Sequence, residues 1–229
     1  MKKFLLIIGM FSLTVSSTQA QILRAEELEE YAKEKYGSKW TEAAENLASE
    51  LSLDKNNALT YVQVVEAPGR TKEQLYITLN YWYTNTFMSG KATIELNDKE
   101  SGIIIGNGFV EGVAAHVGGM NQYKVNLRPI IKTDIKDGKI RITYTVPYYD
   151  VEKLAGGGIV SDFGDGYNQP KMVEENWVLE KCFPFAQKDK HKKTSSKALV
   201  MAHAYSNVIM DKLEEAVQNG MVGNEDDNW

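Results

Sequence analysis

The sequence predicts an α+β protein in which a curved antiparallel sheet packs on a long C-terminal helix, with an N-terminal helical extension ahead of the sheet. Three observations predict it. Between residues 59 and 146, short apolar segments with a two-residue beat are joined by tight turns, the mark of antiparallel strands with one covered face. Leu199, Ala202, Ser206, Ile209, Leu213 and Ala216 are spaced 3, 4, 3, 4 and 3, which aligns them along one side of a single helix. Trp40, Ala44, Leu47 and Leu51, spaced 4, 3 and 4, form a shorter stripe before the first strand.

The chain opens on Met1, Lys2 and Lys3, followed by a nearly all-apolar run over 4–15 and small residues up to Ala20. A basic segment, an apolar segment and a small-residue exit make a secretory leader. The expected cleavage near Ala20 leaves Gln21 as the first residue, in the periplasm or outside the cell. The apolar run is too short to cross a bilayer of about 30 Å as a helix, and no later segment approaches the ~20 apolar residues needed. The expected organisation is a leader at 1–20, a helical extension at 21–56, an α+β domain at 57–220 and an acidic tail at 221–229.

Glu26, Glu27, Glu29 and Glu30 crowd the start of the extension, where negative charge suits a helix dipole. Gly37 and Ser38 then divide it into two short helices. Residues 59–65 read as a strand, stopped by Ala67, Pro68 and Gly69. Thr71, with Gln74 three residues on, is a capping box. Leu75, Leu79 and Trp82 line one side of the helix it opens, and Tyr76, Tyr83 and Phe87 line another. So wide an apolar surface predicts a helix largely covered by its neighbours. Strands follow at 92–96, at 103–110, at 123–135 with strain at Pro129, and at 140–146, after the Asp137-Gly138 hairpin signal. Residues 150–170 carry Gly156, Gly157, Gly158, Gly164 and Gly166 and read as a long loop of the kind often used for binding. The last helix is expected over 195–218, with Gly220 as its stop.

One stretch is specific enough to name a family. It reads Val64-Val65-Glu66-Ala67-Pro68-Gly69, then Lys72-Glu73-Gln74-Leu75-Tyr76, Trp82 and Phe87. It continues Asn97-Asp98-Lys99-Glu100-Ser101-Gly102-Ile103-Ile104-Ile105-Gly106-Asn107-Gly108. This resembles the domain of unknown function 4468 family, described as having a TBP-like fold, and the similarity is clearest over 59–147. The resemblance implies an exported protein of anaerobic Gram-negative bacteria. It also implies a sheet gripping a long helix, a helix-grip arrangement. It implies no activity, and a fold name carries no nucleic-acid function.

The formal charge is −5, so nothing favours the counterion release that drives nucleic-acid binding. No cofactor is expected. Gly106-Asn107-Gly108 lacks the third glycine of a dinucleotide loop, since Glu111 stands there; Gly102, Gly106 and Gly108 read instead as bends that let the sheet curve. His116, His191 and His203 have no zinc-type spacing, no metal site is expected, and His203 reads as a packing residue. His191 lies in the 188–193 run, read as a solvated turn, with contact to an anionic surface as the alternative. Cys182, the one cysteine, reads as a small buried hydrophobe, and no catalytic residues are assigned.

The sequence therefore favours a non-catalytic ligand-binding or interaction module whose partner is an envelope protein, a glycan or a lipid. The expected ligand residues are Tyr148, Tyr149, Asp162, Asp165 and Tyr167, with the 150–170 loop as a roof. Tyrosines offer flat apolar faces with a polar handle, and carboxylates on a flexible loop offer oxygen ligands. A structural or assembly protein docking through Trp40, Leu47 and Leu51 is the second reading, and a hydrolase using Cys182 or the histidines the third.

Overall fold

The structure is a computed structural model and describes residues 25–87, 92–118, 122–155 and 171–220. The leader, the acidic tail, Asp162, Asp165, Tyr167 and the glycines of 156–166 lie outside the described residues. Two helices, α1 (Ala25–Tyr36) and α2 (Trp40–Ala48), come first, followed by β1 (Leu59–Glu66) and α3 (Lys72–Thr86). Eight further strands follow: β2 (Thr93–Asp98), β3 (Ile103–Asn107), β4 (Val110–His116), β5 (Tyr123–Leu127), β6 (Ile130–Lys136), β7 (Lys139–Val146), β8 (Tyr148–Ala155) and β9 (Lys171–Val178). A 3₁₀ turn at Leu179–Lys181 leads to the long helix α4 (Lys192–Asn219). Every strand pairing is antiparallel.

The expected five strands are nine, arranged as a five-stranded sheet in the order β1-β7-β6-β3-β2 and a four-stranded sheet in the order β4-β5-β8-β9. The two are halves of one bent surface. The chain passes from one half to the other at Gly108-Phe109, at Arg128-Pro129 and at Pro147. The expected strand at 103–110 therefore breaks at Gly108, and the one at 123–135 breaks at Pro129. Proline has no N–H to give a ladder, and the corner is tied instead by Gly108 N–H donating to the Pro129 carbonyl at 2.8 Å. On the outside of the bend the Arg128 guanidinium lies 4.8 Å from the Phe109 ring centre and 2.6 Å from Asp150.

Residues 150–155 and 171–178, expected in the loop or unassigned, form most of a β8–β9 hairpin in continuous register from Tyr148↔Val178 to Ala155↔Lys171. The β4–β5 ladder slips between Val110 and Ala114. There Gly112, at φ +69°, gives its N–H to Asn126 Oδ1 at 2.9 Å, so the fully buried Asn126 is satisfied.

The inner side of the bend is filled by α4. Leu199, Ala202, Ser206, Ile209 and Leu213 of the expected seam are buried, while Ala216 is half-buried beside buried Val217. Burial extends round most of the helix over 194–206 because α1 and α2 pack on its other side. Small residues make that possible: Ser195, Ser196, Ala198, Ala202, Ala204 and Ser206 are buried there. Ser196 and Ser206 return their hydroxyls to the helix carbonyls of Lys192 and His203, so burial leaves neither unpaired. Each large apolar side chain covered here contributes about 1.5–3 kcal/mol. Gly220, at φ +70°, ends the helix.

The Thr71–Gln74 capping box forms in both directions, at 3.2 and 3.0 Å. Leu75, Leu79 and Tyr83 of α3 enter the core, and the Tyr83 hydroxyl donates to the Ile131 carbonyl at 3.1 Å. The helix is not largely covered, however, because Ile77 and Tyr81 are 62% and 53% exposed. The expected role of the glycines also changes. Gly102, at φ +68°, serves the β2–β3 turn, whereas Gly106 lets α3 approach, since a Cβ there would meet the rings of Phe87 and Tyr83, the latter at 2.9 Å.

Two outcomes follow from this packing. Gly106→Ala should cost about 1–3 kcal/mol, the usual penalty of overpacking, read by denaturant unfolding, and Phe87→Leu should recover part of it. A neutral Gly106→Ala would show that α3 can retreat freely.

The second outcome concerns His203, held between Tyr36 and Tyr61 at ring distances of 5.4 and 5.5 Å with Nδ1 3.2 Å from the Tyr61 hydroxyl. Burial and then Lys35 hold its pKa below the ordinary 6.5, against Glu50. The unfolded chain takes up this proton first, so stability is full above about pH 6.5 and is lost as pH falls towards the folded value. Melting temperature should drop in that window and His203→Gln should flatten the drop. An undiminished slope in the variant would exclude His203 as its source.

Candidate functional site

β9 is the last strand of its half-sheet, and the chain must turn from its end back to the start of α4. Alternation along β8 and β9 sends Lys153, Glu175 and Trp177 to the inner side, facing that returning segment. The segment is fixed by Asp189. Its carboxylate accepts from Phe183 N–H at 3.0 Å, from His191 N–H at 2.7 Å and from the buried Ser195 hydroxyl at 2.5 Å.

Between β9 and the returning segment lies a groove of about 540 Å³, lined by Lys153 and residues 175–178, by Lys181 and Cys182, and by residues 188–191. Its aromatic base is a cluster. The His191 ring stacks on Trp177 at 4.4 Å and 15°. Tyr123 meets Trp177 at 5.2 Å, gives its ring edge to His191 at 4.8 Å, and carries His116 stacked at 5.1 Å. His191 Nδ1 lies 3.0 Å from the Tyr123 hydroxyl. The 188–193 run is therefore not a simple solvated turn: His191 packs inward, and Lys192 reaches Glu45 at 3.2 Å and covers the Phe183 ring.

The groove is rimmed by Lys153, Lys181, Lys188 and Lys190. None of them makes an ion pair with a described carboxylate. The two acids present are engaged elsewhere, Asp189 as above and Glu175 by the Trp177 Nε1–H at 2.7 Å. Burial, followed by Lys190, pushes the His191 pKa below 6.5. Cys182 is 4% exposed with Sγ 3.5 Å from the Val178 carbonyl. Burial and the Asp189 charge push its pKa up to about 12, so thiolate is scarce at neutral pH. The Ser195 hydroxyl donates to Asp189, which two backbone N–H groups also hold in place, and the Tyr123 hydroxyl lies against His191 Nδ1 beneath the groove. Among the described residues no three His, Cys, Asp or Glu side chains gather as metal ligands.

Of the ligand residues expected from sequence, Tyr149 is fully buried opposite Trp177. It offers no surface, because alternation on β8 turns it into the core. Tyr148 is half-buried on the other side of the sheet, paired with Val178. Asp162, Asp165 and Tyr167 are outside the described residues. Sequence reasoning missed Trp177, Lys153 and Lys181 as site residues, whereas Lys188 and Lys190 lay in the 188–193 run for which contact with an anionic surface was the alternative reading. The available signal was the basic density of Lys181, Lys188 and Lys190 near a tryptophan. Two smaller hollows hold less: one of about 300 Å³ lies by Leu154 and Met172, and another by Thr71 has Lys99 and Glu73 already paired at 2.5 Å.

The class of protein so defined is α+β: two bent antiparallel half-sheets closed over a long C-terminal helix, with two N-terminal helices on that helix's far side. Residues 61–150 match the model of the "Domain of unknown function (DUF4468) with TBP-like fold". Two solved structures are similar. A TBP-like protein from Parabacteroides distasonis ATCC 8503 has a TM-score of 0.48 and 15% identity, covering 72% of this chain and 96% of its own. A DUF4468 family protein from Bacteroides ovatus ATCC 8483 has a TM-score of 0.44 and 12% identity, covering 72% and 89%. No curated protein matches. Among the described residues no helix is long and apolar enough to cross a membrane.

Proposed function

We propose that the protein is a long member of this family, exported to the periplasm or beyond, and a non-catalytic binding module that takes an anionic ligand in the β9 groove. The observation that carries the reading is the lysine rim. Four lysines line one groove and none is in an ion pair with a described carboxylate, in a chain that is acidic overall, at −5. Like charges held together in a concave site repel one another and focus a positive potential. An anion relieves that repulsion, and the contacts it gains are charge-assisted. The thiol pushed up to about 12 and the packed His191 favour binding over catalysis. An assembly role through Trp40, Leu47 and Leu51 is less well supported, because that stripe packs against the chain's own core. The leader pattern of 1–20 supports export.

Calorimetry at low salt, with polyglutamate and with oligogalacturonate as probes, should show binding to at least one of them. The Lys181→Gln/Lys188→Gln/Lys190→Gln variant should weaken it at least about tenfold, or 1.4 kcal/mol. Silence with both probes, or an unchanged affinity in the variant, would remove the groove as the site. Export is read separately: the intact mass from a Gram-negative host should correspond to a chain starting at Gln21, and a retained leader overturns it.

A further inference from the structure

The groove is bounded by an unusual element for a small-molecule site. It touches four consecutive residues of β9, 175–178. Successive residues of a strand point to opposite sides of the sheet, so a site resting on one face would touch every second residue. Contact with four in a row brings the β9 backbone into the groove wall beside Lys153 of β8, and in its half-sheet β9 pairs with β8 alone, which leaves its other edge free. There, alternate residues hold out the N–H and C=O groups that β8 does not use. We propose, building on the anion-binding reading above, that the ligand is an extended acidic polypeptide segment that adds to β9 as a further strand.

Four observations support this occupant. First, β9 keeps an unbroken eight-residue register with β8, and it contains no proline, so the edge is straight enough to template another strand. Second, apolar side chains stand exposed along it: Met172 at 60%, Val173 at 44% and Val178 at 39%. They give an added strand apolar neighbours beside its backbone bonds. Third, the wall facing this edge carries Lys181, Lys188 and Lys190, with Lys153 beside them on β8. Acidic side chains at alternate positions of the added strand would all point towards that wall. Glu175, which accepts from Trp177 Nε1–H at 2.7 Å, and Asp189 offset two of the four lysines and leave the groove formally positive, while Glu174 faces the other side of the sheet. Fourth, the competing ligand, an acidic sugar chain, would need an open aromatic platform. His191 already covers one face of Trp177 at 4.4 Å, and Tyr123 packs against it at 5.2 Å.

The test uses the purified protein and a capped heptapeptide alternating glutamate and valine. Two further versions are N-methylated on either all the glutamates or all the valines. Oligogalacturonate of similar charge is the fourth probe. In a β-strand the N–H groups of alternate residues point to one edge, so methylating the correct set removes every N–H donated to β9 and puts methyl groups into the ladder, while leaving the charges intact. Strand addition predicts that the parent peptide binds and slows amide exchange over 171–178. It also predicts that one methylated version binds at least tenfold more weakly. Equal binding of all three peptides overturns strand addition and leaves an anion groove. Binding of the galacturonate without the peptide also overturns it, in favour of a glycan. Silence from every probe removes strand addition and the anion-binding reading together.

Discussion

The structure depends on one requirement: the inner face of the bent sheet is apolar and has to be covered. Ile104, Ile131, Ile140, Ile142, Tyr144, Val125, Leu127, Tyr149 and Val151 all turn inward and are buried. The cover is α4, assisted by α3 over the five-stranded half. Because the sheet bends around it, α4 has little free surface, and α1 and α2 take what the sheet leaves. This explains the composition of its first half. A helix squeezed from two sides needs small residues for close approach, and its serines must satisfy their hydroxyls within the helix itself. The N-terminal helices are thus a second wall of the same core.

Much of this was legible because hydrophobic periodicity reports burial directly. The seam of α4, the capping box of α3 and the Asp137-Gly138 hairpin are local signals, and each lies where expected. The corners were illegible for a specific reason. Gly106, Gly108 and Val110 are all buried across the first corner, as are Val125, Leu127, Pro129 and Ile131 across the second. Two-residue corners preserve the alternation, so a strand that changes half-sheet reads as one long strand. Only Pro147 shifts the beat, since Val146 and Tyr149 both face inward. That shift also explains the burial of Tyr149. A tyrosine beside a glycine-rich segment looked available, but the one-residue slip turned it into the core.

The site was hidden by averaging. A formal charge of −5 describes the whole chain, while the groove is built where Lys153 of β8 meets lysines brought back by the turn after β9. Sequence separation between Lys153 and Lys181 concealed their proximity, which only the hairpin and the turn create. The aromatic base was concealed in the same way: His116, Tyr123, Trp177 and His191 come from four separate segments. The basic run at 188–193 was visible, but not its division. Lys188 and Lys190 face the groove, whereas Lys192 turns to Glu45.

The four sheet edges show why β9 is the one open to a partner. A free edge invites uncontrolled pairing, and proteins blunt edges with bulges, cover or charge. The register of β2 is broken between Ile94 and Leu96, and that of β4 between Val110 and Ala114, where α1 and α4 also pack. β1 begins beside a bridge from Leu53, and its Gln63 is tied to Glu214 at 2.6 Å. Among the described residues β9 has no bulge, and it keeps exposed apolar side chains. Its protection is electrostatic: the lysine wall repels any basic strand, including one carrying a similar rim, and leaves the edge open to acidic ones. Selection by charge solves the solubility problem of a regular edge while keeping its backbone groups available.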